Sequence, residues 1–82
     1  MAEVRVEIRL ANDGEHSLTV MLEPWTKELE LPPGATWTVI ATGDPAFPIY
    51  VDHAPDRISV STFDSGPGAG LAVYDAAGRQ LF

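Results

Sequence analysis

The chain has 82 residues, which is the size of one domain spanning residues 1–82, and twelve acidic against five basic side chains give it a net charge of −7. This charge repels phosphate backbones and anionic lipid, so we expect neither nucleic acid nor a membrane as partner. The absence of cysteine excludes disulfides and thiolate metal centres, and it suits a reducing compartment.

Charged residues from Glu3 onward interrupt the first ten positions, where a secretory signal would need an unbroken apolar run. No apolar stretch of the chain approaches the length of a membrane span. We therefore expect a cytoplasmic protein.

The first predicted strand alternates apolar and charged residues from Val4 to Leu10, a pattern typical of a strand with one buried face. Asn12-Asp13-Gly14 follows it. Taken as a type I turn with a left-handed glycine, these residues predict a hairpin to the apolar stretch Leu18 to Leu22. In that hairpin Ile8 would pair with Leu18.

Four further stretches of strand length follow, separated by turns rich in proline and glycine. Their apolar positions are Leu29 and Leu31, then Trp37, Val39 and Ala41, then Ile49 and Val51, then Ile58, Val60 and Thr62. These four sets alternate with polar residues, as strands do. Trp37 shares the phase of Val39, so we expect it in the core between two sheets.

The end of the chain predicts a second hairpin. Ala76-Ala77-Gly78, taken as a loop with a left-handed glycine, sets Val73 opposite Leu81 and Asp75 opposite Arg79. The short connections throughout exclude βαβ units. The sequence therefore predicts an all-β fold, an antiparallel two-sheet β-sandwich of seven or eight short strands, with a partly open barrel as the alternative.

Two patterns carry a resemblance. The spacing Val6-x-Ile8-x-Leu10-x-Asn12-x-Gly14, followed by the arch Leu31-Pro32-Pro33-Gly34, resembles the first half of cupredoxin-like and immunoglobulin-like sandwiches. Leu22-Glu23-Pro24-Trp25 followed by the same arch is similar to small uncharacterised bacterial all-β proteins. The resemblance implies a fold and no particular activity, because such folds host many functions.

The chemistry-bearing residues form no recognisable catalytic or metal-binding pattern. Type 1 copper needs a cysteine thiolate, which the chain lacks. Asp52, His53 and Asp56 lie close together but offer too few ligands for zinc or calcium. No nucleophile-elbow glycines surround the serines, and Glu28 and Glu30 are expected on one solvated strand face. We expect no metal, no cofactor and no enzyme.

The aromatic residues outside the predicted core are the remaining lead. Trp25 is out of phase with Leu22, but Pro24 can reset that phase, so Trp25 either caps one end of the core or is an exposed contact residue. Phe47 lies between two prolines, and Tyr50 is out of phase with its apolar neighbours. Both could extend the same surface.

We therefore hypothesise a non-catalytic binding or accessory module that contacts an unknown protein partner through Glu23, Trp25, Phe47 and Tyr50. The alternative is a small ligand or carbohydrate bound on the same aromatic surface. A pocket with convergent polar groups would favour a ligand, whereas a flat apolar patch would favour a protein.

Overall fold

A computed structural model describes residues 4–44, 48–62 and 69–82. These residues form seven strands and no helix, so the predicted all-β class is confirmed. The strands are β1 (Val4–Ala11), β2 (Leu18–Glu23), β3 (Lys27–Leu31), β4 (Thr36–Gly43), β5 (Ile49–Ala54), β6 (Arg57–Thr62) and β7 (Gly70–Tyr74).

The strands form two sheets, and neither closes into a barrel within the described residues. The three-stranded sheet has the order β1-β4-β7, and the four-stranded sheet has the order β3-β2-β6-β5. This arrangement confirms the predicted sandwich. One pair departs from the antiparallel prediction, because β2 runs parallel to β6. The chain passes repeatedly from one sheet to the other, and this brings two strands of the same direction side by side.

The predicted hairpin between the first two strands is wrong. β1 pairs with β4, which sets Ile8 opposite Val39 rather than Leu18. The residues after β1 instead cross between the sheets. Gly14 is also not left-handed, whereas Gly34, in the arch before β4, has a φ of 78°. Turn-forming residues permit either a hairpin or a crossing, and the choice depends on strand pairings far away in the chain.

Asn12 fastens this crossing to the rest of the fold. Its side chain is buried, and Nδ2 donates hydrogen bonds to the backbone oxygens of His16, at 2.7 Å, and of Leu31, at 3.0 Å. Its Oδ1 accepts a hydrogen bond from the Gly14 N–H at 3.0 Å. Its backbone oxygen accepts another from the Gly34 N–H at 2.7 Å. Asn12 therefore ties the first crossing to the end of β3 and to the arch before β4.

The predicted C-terminal hairpin is confirmed. The Asp75 N–H donates to the Arg79 oxygen at 2.9 Å, and the Leu81 N–H donates to the Val73 oxygen at 2.7 Å. Gly78 is left-handed, with a φ of 84°. The last residues thereby extend the three-stranded sheet beyond β7.

The core lies between the two sheets. Its buried apolar residues in the described part of the chain are Leu10, Val20, Leu22, Leu31, Trp37, Val39, Ala41, Ile58, Val60, Leu71 and Val73. Trp37 is only 7% exposed, as predicted. Val51 shares the phase of Ile49 on its strand, yet it is 48% exposed. It lies on β5, and within the described residues β5 is at the edge of a four-stranded sheet that faces a sheet of three strands.

Candidate functional site

Two of the predicted contact residues lie in one row on the outer face of the four-stranded sheet. Glu23 on β2 and Tyr50 on β5 both pair with Ser61 on β6. Directly opposed residues point to the same face of a sheet. Two strand spacings separate the Cα atoms of Glu23 and Tyr50 by about 10 Å. The neighbouring residues Leu22 and Val60 face the core, so the row Glu23–Ser61–Tyr50 faces outward.

Trp25 lies in the turn between β2 and β3, at the same end of the sheet as this row. Its ring packs against Phe82, with 5.6 Å between the ring centroids and 60° between the ring planes. This tilted geometry is a favourable aromatic contact. The Trp25 side chain is nevertheless 43% exposed. Part of the Trp25 side chain therefore covers the C-terminal residue Phe82, and the rest remains accessible. The two predicted roles, cap of the core and exposed contact residue, each apply to one part of the side chain.

The residue after Trp25 constrains the turn. Thr26 has a φ of 52°, in the left-handed region that β-branched residues rarely adopt. Its Oγ1 donates a hydrogen bond to the Trp25 oxygen at 2.7 Å. This local bond supports the backbone conformation that presents Trp25.

Phe47 lies outside the described residues, so its place on this surface stays a prediction. The structure adds Val51, which is 48% exposed. Tyr50, 50% exposed, and Val51 are adjacent and lie on opposite faces of β5. Pro48, directly before β5, was a signal for an edge strand, because proline is tolerated mainly at sheet edges.

The outer faces of the two sheets differ in charge. On the four-stranded sheet the pairings place four carboxylates and one arginine outward. These residues are Glu23, Glu28, Glu30, Asp52 and Arg57. Thr19 Oγ1 donates a hydrogen bond to Glu30 Oε1 at 2.8 Å on this face. The row Glu23–Ser61–Tyr50 therefore lies in acidic surroundings.

On the three-stranded sheet, Arg5 and Arg9 lie on the outer face instead, above a shallow groove of about 670 Å³. Thr38, Ile40 and Tyr74 also line this groove. It lies on the opposite side of the sandwich from the row Glu23–Ser61–Tyr50. This groove and the row Glu23–Ser61–Tyr50 are thus separate features.

Asp52, His53 and Asp56 are all exposed. Within the described ranges, no three side chains of histidine, aspartate or glutamate converge as a metal site requires. The described part of the chain also contains no helix able to cross a membrane.

Comparison with known proteins found no protein-family model, no curated protein and no solved structure that matches this chain. The resemblance to cupredoxin-like and immunoglobulin-like sandwiches stays a prediction from the sequence. The function is therefore argued from the surface alone.

Proposed function

We propose that this chain is a non-catalytic, cytoplasmic binding module that recognises a protein partner by pairing a strand of that partner with the outer edge of β5. The observation that carries the proposal is the exposure of Tyr50 and Val51, about half of each side chain, on the edge strand of the four-stranded sheet. Large side chains exposed on both faces of an edge strand mark a place where a further strand can pair.

Strand addition uses two kinds of contact. The described residues pair β5 with β6 on one side only, so alternate backbone N–H and C=O groups of β5 point away from the sheet. A partner strand would bond to these groups. Its side chains would also cover Val51 on the inner face and Tyr50 on the outer face, because strand residues alternate between faces. The site therefore supplies both hydrogen bonds and two apolar anchors.

The acidic side chains around Tyr50 determine which charge is favoured in the partner. Glu23 and Asp52 lie on the outer face of the same sheet as Tyr50. A partner strand with an apolar residue toward Val51 and a lysine or arginine toward the outer face would complement both. Trp25, at the same end of the sheet, would extend the contact beyond the strand. A basic partner segment is thus favoured over an acidic one.

A small ligand or carbohydrate on this aromatic surface has less support. The groove of about 670 Å³ lies on the other sheet, and a smaller concavity of about 280 Å³ beside Asp52 and Ser59 has no tryptophan, tyrosine or phenylalanine among the described residues that line it. Trp25 already packs part of its ring against Phe82. A protein partner agrees better with an edge strand and a flat, partly apolar face.

The test is a quantitative pull-down from the native host with three baits: wild type, Val51→Lys and Val6→Lys. Val6 is a matched control, because it is also a partly exposed valine, 41% against 48% for Val51, on an edge strand of the other sheet. We expect wild type and Val6→Lys to recover a partner that Val51→Lys loses. Circular dichroism confirms that all three baits are folded.

Recovery of the same proteins by all three baits would contradict strand addition at β5. Adding Trp25→Ala as a fourth bait measures how far the contact extends along the sheet. A loss with Trp25→Ala and none with Val51→Lys would move the site to the turn between β2 and β3.

A further inference from the structure

The groove on the three-stranded sheet runs along β4, and we call it the trough. Its floor is the outer face of β4, formed by Thr36, Thr38 and Ile40. One wall carries Arg5 and Arg9 of β1, and the other carries Tyr74 and the loop of the C-terminal hairpin. β1 and β7 are two strand spacings apart, so the trough is about 10 Å wide at the backbone. That width accepts one extended chain.

Arginine is concentrated in this trough, and its lining also contains one carboxylate, that of Asp75, whose Oδ2 lies 3.3 Å from Arg79 Nε. Two of the five basic residues line it, although the chain has a net charge of −7. Arg9 forms no ion pair with any described residue, and its guanidinium is exposed. Arg5 Nη1 lies 3.8 Å from Glu7 Oε1. Glu7 is the residue between the two arginines on the same face. The trough therefore has two cationic positions separated by a carboxylate.

One row of the trough carries three hydrogen-bond donors. Thr38 pairs with Arg9 on one side and with Tyr74 on the other, so the three side chains point the same way. Within the described residues the hydroxyls of Thr38 and Tyr74 have no hydrogen-bond partner. A guanidinium and two hydroxyls in one row of one sheet face suit a carboxylate, which only accepts hydrogen bonds.

We propose that this trough binds an extended acidic peptide whose two carboxylates lie four residues apart. Arg5 and Arg9 are themselves four residues apart on one strand, about 13 Å. A peptide lying along the strand matches that spacing with residues i and i+4. Its residue i+2 faces Glu7, so a third carboxylate there is repelled. The preferred pattern is acidic-x-neutral-x-acidic.

The experiment is an NMR titration of the ¹⁵N-labelled full chain with two synthetic peptides of identical composition. The first is acetyl-Glu-Thr-Ser-Val-Glu-amide, and the second is acetyl-Glu-Thr-Glu-Val-Ser-amide. We expect saturable shift changes at Thr38, Ile40 and Tyr74 with the first peptide. The second peptide should bind at least threefold more weakly, because one carboxylate faces Glu7.

Two variants locate the site. Arg9→Gln should weaken binding of the first peptide about fivefold or more, since it removes the unpaired guanidinium from the trough. Arg57→Gln is the matched control, because it removes an exposed arginine from the other sheet and should leave binding unchanged. Tyr74→Phe, which removes only the hydroxyl, should weaken binding about twofold to threefold.

Three results would overturn the proposal. If Arg57→Gln weakened binding of the first peptide as much as Arg9→Gln does, the peptide would be attracted to arginine side chains in general and not to the trough. Equal binding of the two peptides would remove the spacing rule. Inorganic phosphate or glutarate binding as tightly as the first peptide would assign the trough to a small anion. Because the proposed protein contact lies on the opposite sheet, none of these results depends on the outcome of the β5 pull-down.

Discussion

β4 and β5 both alternate in sequence, yet only β4 alternates in burial. On β4 every second residue, including Trp37 and Val39, lies in the core. On β5 the corresponding residues are Ile49, half-buried, and Val51, exposed. β4 has a strand on each side, whereas β5 is paired on one side only among the described residues. Alternation therefore defines which face a residue occupies, and the place of the strand in its sheet defines how deeply it is buried.

The two tryptophans show the same contrast. Trp37 occupies the central strand and is almost fully buried, whereas Trp25 occupies a turn and is partly accessible. Substitutions at the centre of the sandwich should therefore cost more stability than substitutions at its rim.

Trp37→Ala should lower the free energy of unfolding by about 3 to 5 kcal/mol, because truncating a large aromatic residue leaves a cavity in a packed core. A domain of this size has in total about 4 to 12 kcal/mol, so the variant could be largely unfolded. Urea denaturation followed by circular dichroism measures the loss. A loss below about 1 kcal/mol would mean that Trp37, at the centre of the sandwich, contributes no more to stability than Trp25 at its rim.

Asn12→Ala should cost about 2 to 4 kcal/mol, because it deprives the His16 and Leu31 oxygens and the Gly14 N–H of their partner in a partly buried place. Asp13→Ala, an exposed neighbour, serves as control and should cost less than about 0.5 kcal/mol. Equal denaturation midpoints for the two variants would show that Asn12 does not stabilise the connection between the first crossing, the end of β3 and the arch before β4.

Trp25→Ala should cost about 1 to 2 kcal/mol, less than Trp37→Ala, because only part of the ring packs against Phe82. In a Trp37→Phe background, iodide should quench Trp25 emission to a degree between free tryptophan and a buried ring. Complete protection from iodide would make Trp25 a core cap and remove it from the contact surface.

Val51→Ala should change the free energy of unfolding by less than about 0.5 kcal/mol, because its side chain is half exposed. Val39→Ala is the matched comparison, and its fully buried side chain should cost about 2 kcal/mol or more. Similar losses for the two variants would mean that β5 is covered in solution, for instance by a second copy, and analytical ultracentrifugation would detect that.

Local sequence patterns were sufficient to predict much of the fold. The alternation of apolar residues located every strand, the phase of Trp37 placed it in the core, and Ala76-Ala77-Gly78 predicted the closing hairpin with its register. These features depend on residues that are close together in the chain. The same is true of Tyr50, whose phase predicted exposure.

Only the tertiary structure decided which strands pair across long distances. The pairing of β1 with β4, the parallel pair β2 and β6, and the crossing at Asn12 all depend on the packing of two sheets rather than on turn residues. The row of Glu23, Ser61 and Tyr50 exists because β6 lies between β2 and β5. The exposure of Val51 has the same origin, because an apolar side chain is buried only where another layer covers it.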